Sequence, residues 1–216
     1  TFLADPIGSL LSFSGLTFYG GLICGITAAI WYARSKNIKT IHLLDAAAPG
    51  IMIAYGIGRL GCQLSGDGDW GIVNTAAKPS WISFLPDWVW SFKFPHNVIS
   101  DGVPIPGCVG RHCMELPLPV YPTSLYEAII AITLFFILWA MRKSIKIPGL
   151  LFAIYLMMNG LERFFIEKIR INNIIQFAGI EFTQAELIAS IIFLLGVTGF
   201  VYLILKNNQK NGSIAA

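Results

Sequence analysis

Long apolar stretches separated by shorter polar ones dominate the pattern of this chain. Five of them are long enough to cross roughly 30 Å of hydrocarbon as helices, which takes about 20 residues: residues 16–33, 43–64, 124–141, 149–166 and 184–205. A single long connection separates the second stretch from the third. The pattern predicts an all-α integral membrane protein, a polytopic helical bundle of about five spans with a long outer, periplasmic loop.

The connection between the second and third stretches covers residues 66–122 and interleaves aromatic side chains with few charges. Aromatic residues favour the headgroup level of a membrane, so we expect this loop to be an interfacial insertion. We expect a single transmembrane domain over residues 1–205 and a disordered tail over 206–216. Because the sequence begins with Thr1 rather than Met, we also expect a further N-terminal segment.

The composition supports a membrane protein. Charged residues make up 12% of the 216 residues and hydrophobic ones 55%, whereas a soluble domain carries roughly 25% charge. This composition excludes a disordered chain and a disulfide-stapled secreted module, and it argues against a water-soluble globule. The net charge of +3 is small and scattered, so no nucleic-acid partner is expected.

Lysine and arginine set the predicted orientation, because short loops rich in these residues stay on the cytoplasmic side. Eight of them follow the first, third and fifth stretches, namely Arg34, Lys36, Lys39, Arg142, Lys143, Lys146, Lys206 and Lys210. The other side holds Lys78, Lys93, Arg111, Lys168 and Arg170. We therefore expect a multi-pass protein of the bacterial inner membrane, with residues 66–122 on the periplasmic side.

Two arginines lie inside apolar stretches, where each costs about 2.5–3.5 kcal/mol on insertion scales. Arg59 and Arg163 fall at roughly the same depth, toward the outer leaflet. Arg163 could simply pair with Glu167, four residues further on, and Arg59 could extend to the interface. Several other polar residues reach the same level, namely Tyr19, Asp67, Asp69, Glu127 and Glu167. A polar cluster confined to one leaflet indicates a site for a lipid headgroup.

Two local patterns near these residues have structural interpretations as well. Ser124-Leu-Tyr-Glu127 fits a capping box, in which both side chains bind amides at a helix start, and Glu127 could also take part in chemistry. Gly56, Gly58 and Gly61 surround Arg59. They would admit either a neighbouring helix or a ligand close to the backbone.

The four cysteines divide between spans and loop. Cys24 and Cys62 lie within predicted spans, where a small buried apolar role is the default. Cys108 and Cys113 lie in the outer loop, where an oxidising compartment favours a disulfide between them.

No metal site is expected. A zinc site using His96 and His112 would lack a recognised ligand spacing. The turn Gly66–Gly71 carries two carboxylates but lacks the bidentate glutamate of a calcium loop.

Four blocks of the sequence carry a family resemblance. The run Gly58-Arg-Leu-Gly61, continuing to Gly66 and Trp70-Gly71, resembles the signature segment of the prolipoprotein diacylglyceryl transferases. Three further blocks stand in that family's order, Phe18–Ile23, Tyr121–Glu127 and Arg163–Glu167. The resemblance covers about residues 16 to 205.

The resemblance implies an activity. The family moves the diacylglyceryl group of phosphatidylglycerol to the thiol of the lipobox cysteine in a preprolipoprotein and releases glycerol phosphate. The implied partners are phosphatidylglycerol, the preprolipoprotein signal peptide and membrane lipids, and no cofactor is implied. Guanidiniums suit the departing phosphate because they are planar and bidentate.

The resemblance also implies residue roles. Arg59 would bind the lipid phosphate, and Arg163 would lie across the site, oriented by Glu167. The expected catalytic set is Arg59, Arg163, Glu167, Tyr19 and Glu127. The expected substrate-binding set is Arg59, Gly61, Cys62, Asp67, Asp69, Gly71 and Tyr126.

The chain departs from the family pattern at the group that should remove the thiol proton. Tyr19 and Tyr121 stand where better-known members have histidine, and Cys62 replaces an asparagine. One extra residue in the turn leaves open whether Asp67 or Asp69 matches the family's glutamate. A neutral tyrosine is a poor base, so we hypothesise that Tyr19, activated by the arginines, or Glu127 accepts the proton.

Two other functions fit the same residues. The chain could be a non-catalytic phospholipid-binding or transport membrane protein that kept the headgroup site. It could also be an enzyme on the same scaffold that uses another acceptor.

Overall fold

The computed structural model describes residues 13–171, 174–177 and 180–214. The chain divides into two units, residues 1–44 and 45–216. The prediction of one transmembrane domain over residues 1–205 therefore stays a prediction. The long helices are α1 (Phe13–Ser35), α2 (Thr40–Ser65), α3 (Thr123–Met141), α4 (Leu150–Glu167) and α5 (Gln184–Ile214).

Each long helix overlaps one of the five predicted stretches. Three segments are long and apolar enough to cross a membrane, Thr40–Ser65, Thr123–Met141 and Gln184–Gln209. The prediction of a mainly helical membrane protein is therefore confirmed. The last helix continues to Ile214, and the expected disordered tail over residues 206–216 stays a prediction.

In the first unit, a residue in the left-handed conformation follows the end of α1. Asn37 has φ of 55°, and the Ile38 amide donates to the Ala33 carbonyl at 2.8 Å. This pattern satisfies carbonyls left without partners at a helix C-terminus. Within this unit Cys24 is exposed on α1, which differs from its expected burial.

In the second unit, α2, α3 and α4 share an apolar core that includes Met52, Ala131, Leu138 and Leu151. Gly56 allows α2 and α3 to approach closely, because a Cβ there would lie 3.2 Å from the Ala131 Cβ. Glycines bring α4 and α5 together in the same way. A Cβ at Gly160 would lie 2.8 Å from the Ala189 carbonyl oxygen, and one at Gly196 would lie 2.8 Å from Met157 Cγ.

The carboxylate of Asp45, on α2, caps the start of α4. The amides of Gly149 and Phe152 donate to its two oxygens at 2.6 Å and 2.9 Å. These amides would otherwise lack partners at a helix N-terminus, where negative charge is also favoured. The charge inside the predicted second span therefore has a structural partner.

A capping box is present, but not at Ser124–Glu127. The first residue of α3 follows Pro122, whose position carries no side-chain cap, and Ser124 Oγ donates to the Asp69 carbonyl at 2.6 Å. Thr183 and Glu186 instead cap α5 reciprocally, with bonds of 3.0 Å and 3.1 Å. The capping prediction for Ser124 is wrong because its hydroxyl contacts the preceding turn and the Glu127 carboxylate contacts Arg59.

The segment between α2 and α3 folds around its own apolar cluster of Trp70, Phe94, Leu116 and Val120. It contains two 3₁₀ helices, Ser80–Ile82 and Asp87–Val89, and a ribbon of β1 (Val103–Pro104) with β2 (Met114–Glu115). A second ribbon pairs β3 (Ile174–Phe177) with β4 (Ile180–Thr183). The sequence pattern did not predict these ribbons.

Two features of this outer segment bear on the sequence predictions. Cys108 and Cys113 form a disulfide, which confirms that pairing. The side chains of Trp81 and Phe84 are 75% and 80% exposed, so large aromatic groups remain uncovered within the second unit.

Candidate active site

A fully buried carboxylate, Glu127 in the first turns of α3, connects three helices. Its Oε2 accepts a hydrogen bond from the Tyr55 hydroxyl at 2.7 Å and lies 2.5 Å from Arg59 Nε, both on α2. The same oxygen lies 3.5 Å from Arg163 Nη1 on α4. The two arginines predicted from their depth in the membrane therefore meet at one oxygen atom.

A second carboxylate, Asp69, lies in the turn after α2 and pairs with two arginines. One oxygen contacts Arg59 Nη1 and the other contacts Arg170 Nη2. Its backbone carbonyl accepts hydrogen bonds from Thr123 Oγ1 at 3.0 Å and Ser124 Oγ at 2.6 Å. The start of α3 therefore fixes the turn that presents this carboxylate.

Gly71 brings Arg170 to the cluster. It forms a bridge with Arg170, and the neighbouring Ile72 amide donates to the Ile169 carbonyl at 2.9 Å. A Cβ at Gly71 would lie 2.6 Å from that carbonyl oxygen, so any side chain there would force the two segments apart. Arg170 Nη1 also lies 3.6 Å from Glu127 Oε1.

A third carboxylate, Glu162 on α4, is also buried. Its oxygens lie 3.4 Å and 3.5 Å from the Tyr55 hydroxyl, which donates to Glu127. The cluster thus holds three guanidiniums and three carboxylates. Arg163 has the most exposed side chain of the three arginines, at 26% against 15% for Arg59 and 10% for Arg170.

The remaining predicted residues lie at varying distances from this cluster. Asp67 is exposed and accepts the Asp69 amide at 3.3 Å. Gly61 has no neighbour within 4 Å of a built Cβ, which leaves open space beside it. The Tyr126 hydroxyl donates to the Val89 carbonyl at 2.9 Å, so it holds the outer segment. The side chain of Tyr19 lies outside the described residues.

Glu167 accepts a hydrogen bond from Thr183 Oγ1 at 2.7 Å. This contact ties the end of α4 to the start of α5. Arg163 contacts Glu127. Its orientation by Glu167 stays a prediction.

Sequence reasoning missed three members of the cluster as site residues, Tyr55, Glu162 and Arg170. Tyr55 lies one helical turn before Arg59 on α2, and its ring centre is 5.2 Å from the guanidinium carbon. Arg170 was counted among the loop charges of the outer side. Arg170 lies beyond the end of α4 at Glu167, so no helical spacing pointed to it.

One group of side chains has atoms close enough together to hold a metal ion. The Cys62 thiol and the carboxylates of Asp67 and Asp69 lie within 4.8 Å of one another. The two guanidiniums that pair with Asp69 would repel a metal ion there, because it would add a further positive charge.

An apolar groove between α3 and α4 reaches the cluster. It encloses about 560 Å³, and Glu162 lies in its wall. The other lining side chains are apolar or aromatic and include Tyr126, Ile130, Leu134, Met158, Leu161 and Phe165. Its mainly apolar lining suits a hydrocarbon chain.

The fold and the site define a helical membrane protein with a buried arginine–carboxylate cluster where α2 and α4 end and α3 begins. Comparison with known families then gives the particular class. The family model described as "Prolipoprotein diacylglyceryl transferase" matches residues 4–202. The chain belongs to this family.

Curated relatives agree with the family. Similar proteins named phosphatidylglycerol–prolipoprotein diacylglyceryl transferase include one from Leptospira interrogans serogroup Icterohaemorrhagiae serovar copenhageni, 33% identical over 166 residues. Another, from Clostridioides difficile strain 630, is 28% identical over 212 residues. These matches cover 76% and 97% of this chain, and 44% and 71% of the respective relative. The chain therefore spans about half the length of the Leptospira relative.

Proposed function

We propose that the protein transfers the diacylglyceryl group of phosphatidylglycerol to the thiol of a lipobox cysteine in a preprolipoprotein, releasing glycerol phosphate. The observation that carries this proposal is the meeting of Arg59 and Arg163 at the buried Glu127. Family membership and the names of the relatives support the same reaction.

The cluster suits a phosphate leaving group. A guanidinium has five N–H donors, and the contacts described above occupy two on Arg59 and one on Arg163. Donors therefore remain for phosphate oxygens. Because the carboxylates hold the guanidiniums in place before substrate binds, little reorganisation is needed when charge develops on the phosphate.

Asp69 is the better match for the expected acid of the turn. It pairs with Arg59 and Arg170, whereas Asp67 contacts the backbone of the turn and faces outward. We propose that Asp69 positions both arginines. Gly61 and Cys62 would line the space beside the headgroup, and Gly71 would keep Arg170 in reach.

The groove between α3 and α4 is the proposed place for an acyl chain. It is lined mainly by apolar side chains and has Glu162 in its wall. A lipid lying there would bring its ester and phosphate groups toward the arginines.

We propose that all five long helices span the bacterial inner membrane and that the site faces the periplasmic leaflet. The Cys108–Cys113 disulfide supports an oxidising side for residues 66–122. The exposed Trp81 and Phe84 suit the headgroup level and support an interfacial position for this segment.

A direct assay tests the proposed function. The protein is incubated with phosphatidylglycerol and a lipobox peptide, and thioether formation is followed by mass spectrometry together with free glycerol phosphate. Transfer with stoichiometric release is the expected result. Lipid binding without release would support a binding or transport protein instead, and release that requires a different acceptor would support another transferase.

A further inference from the structure

Of the three carboxylates of the cluster, Asp69 has each oxygen paired with an arginine. The other two could accept a thiol proton, and they lie on either side of one hydroxyl group. Tyr55 donates to Glu127 Oε2 at 2.7 Å, and its oxygen lies 3.4 Å from Glu162 Oε2. A proton acceptor must come within hydrogen-bond reach of the thiol, directly or through one water. Access therefore decides between the two carboxylates.

Glu127 is inaccessible. Its side chain has no exposed surface, and Arg59 and the Tyr55 hydroxyl take up one of its oxygens. Among the described residues, its position is that of an anchor for guanidiniums. A substrate thiol has no route to it in this arrangement.

Glu162 has access to a cavity. It is the one acidic residue in the lining of the groove between α3 and α4, whose other lining side chains are mainly apolar. Within the described part of the chain, no arginine or lysine forms an ion pair with Glu162. Glu162 is thus the acidic residue of the cluster that borders the groove.

The charges around Glu162 also suit this role. The charged and titratable groups that act on it are Tyr55 and Arg59 from α2, Glu127 from α3, and Arg163 on α4 itself. The cluster holds three guanidiniums together with the carboxylates of Asp69, Glu127 and Glu162, so it is neutral when all are ionised. Protonation of Glu162 would leave one positive charge among the arginines.

We propose that Glu162 accepts the proton of the acceptor thiol, and this inference rests on the proposed function. In the step, the thiol sulfur forms a bond to the glycerol carbon while the bond from that carbon to the phosphate oxygen breaks. The electron pair of the broken bond leaves with glycerol phosphate, and the thiol proton moves to Glu162. The cluster gains one positive charge as the phosphate gains one negative charge.

The test compares Glu162→Gln with the unaltered protein in single turnover between pH 5 and 9.5. A positioned proton acceptor contributes about 10²- to 10⁴-fold, so the variant should be at least about 100-fold slower at pH 7. A free thiol ionises near pH 8.5. The deficit should therefore shrink at least about tenfold at pH 9.5, which a packing defect would not produce.

Two further measurements make the result specific. Binding of phosphatidylglycerol to Glu162→Gln should stay within about threefold of normal, and Glu115→Gln in the outer segment serves as the matched charge control. Glu162→His supplies another proton acceptor. The acid limb of its pH–rate profile should move to about pH 6.5, the usual range of histidine.

The outcomes separate the two proposals. Normal turnover in Glu162→Gln, a deficit that does not depend on pH, or an unchanged acid limb in Glu162→His would overturn the role of Glu162 alone. Absence of transfer by the unaltered protein would overturn the proposed function and this inference together.

Discussion

Arg59 shows how an arginine can be retained in an apolar helix. Placing it in the membrane costs about 2.5–3.5 kcal/mol, and its pairs with Asp69 and Glu127 offset that cost. Removing one partner of such a buried pair typically costs about 3–5 kcal/mol because the remaining charge is left uncompensated. The residues of the cluster therefore depend on one another.

Replacing each of the two acidic residues of the turn by asparagine tests which one pairs with the arginines. Asp69→Asn should lower single-turnover transfer at least about tenfold, because two guanidiniums lose an ionic partner. Asp67→Asn should produce a smaller loss, since that side chain is exposed and none of the ion pairs of the cluster among the described residues involves it. A larger loss in Asp67→Asn would contradict the assignment.

Gly71 gives a prediction about stability. Gly71→Ala should lower the free energy of unfolding by about 1–3 kcal/mol, the usual cost of overpacking, because its Cβ would lie 2.6 Å from the Ile169 carbonyl oxygen. Gly58→Ala is the control, since nothing lies within 4 Å of a Cβ there. Thermal unfolding in detergent measures both, and equal midpoints would argue against the close approach.

Part of this cluster could be predicted from the sequence. Arg59, Arg163 and Glu127 were identified because charged residues are costly in apolar helices and share one level of the membrane. Tyr55 could not be identified in this way, because a tyrosine in an apolar helix needs no special partner. Arg170 follows the end of α4, where a charge is unremarkable until the Gly71 bridge brings it inward.

At the scale of elements, helix positions followed from apolar length, whereas the contacts between elements did not. The Ser124–Glu127 pattern predicts a capping box, but the Asp69 carbonyl competes successfully for the Ser124 hydroxyl. Such a tertiary hydrogen bond leaves no local sequence signal. The cap of α4 by Asp45 is equally nonlocal, since it joins residues more than a hundred positions apart.

This interhelical cap yields a prediction. Asp45→Ala should lower the free energy of unfolding by about 0.5–2 kcal/mol, the usual cost of losing a helix cap. Asp87→Ala changes the same residue type at an exposed site that pairs with Lys78, and it should cost less than about 1 kcal/mol. Indistinguishable unfolding midpoints for the two variants would count against the cap.

At the scale of the whole molecule, the orientation rests on the distribution of lysine and arginine. In a protein with Cys24 and Cys62 replaced by alanine, we expect Lys93→Cys to react with a membrane-impermeant maleimide from outside the cell. Lys146→Cys should react only after permeabilisation, because it follows α3 on the predicted inner side. The reverse labelling would invert the proposed topology.

The central claim is that Arg59 and Arg163 act together on the phosphate of an anionic lipid. The most direct measurement is a double-mutant cycle of single-turnover diacylglyceryl transfer, using Arg59→Gln, Arg163→Gln and the double variant. Each single change should slow transfer at least about 100-fold, and the double variant should be little slower than the worse single one. Near-normal transfer in either single variant, or losses that multiply in the double variant, would contradict the claim.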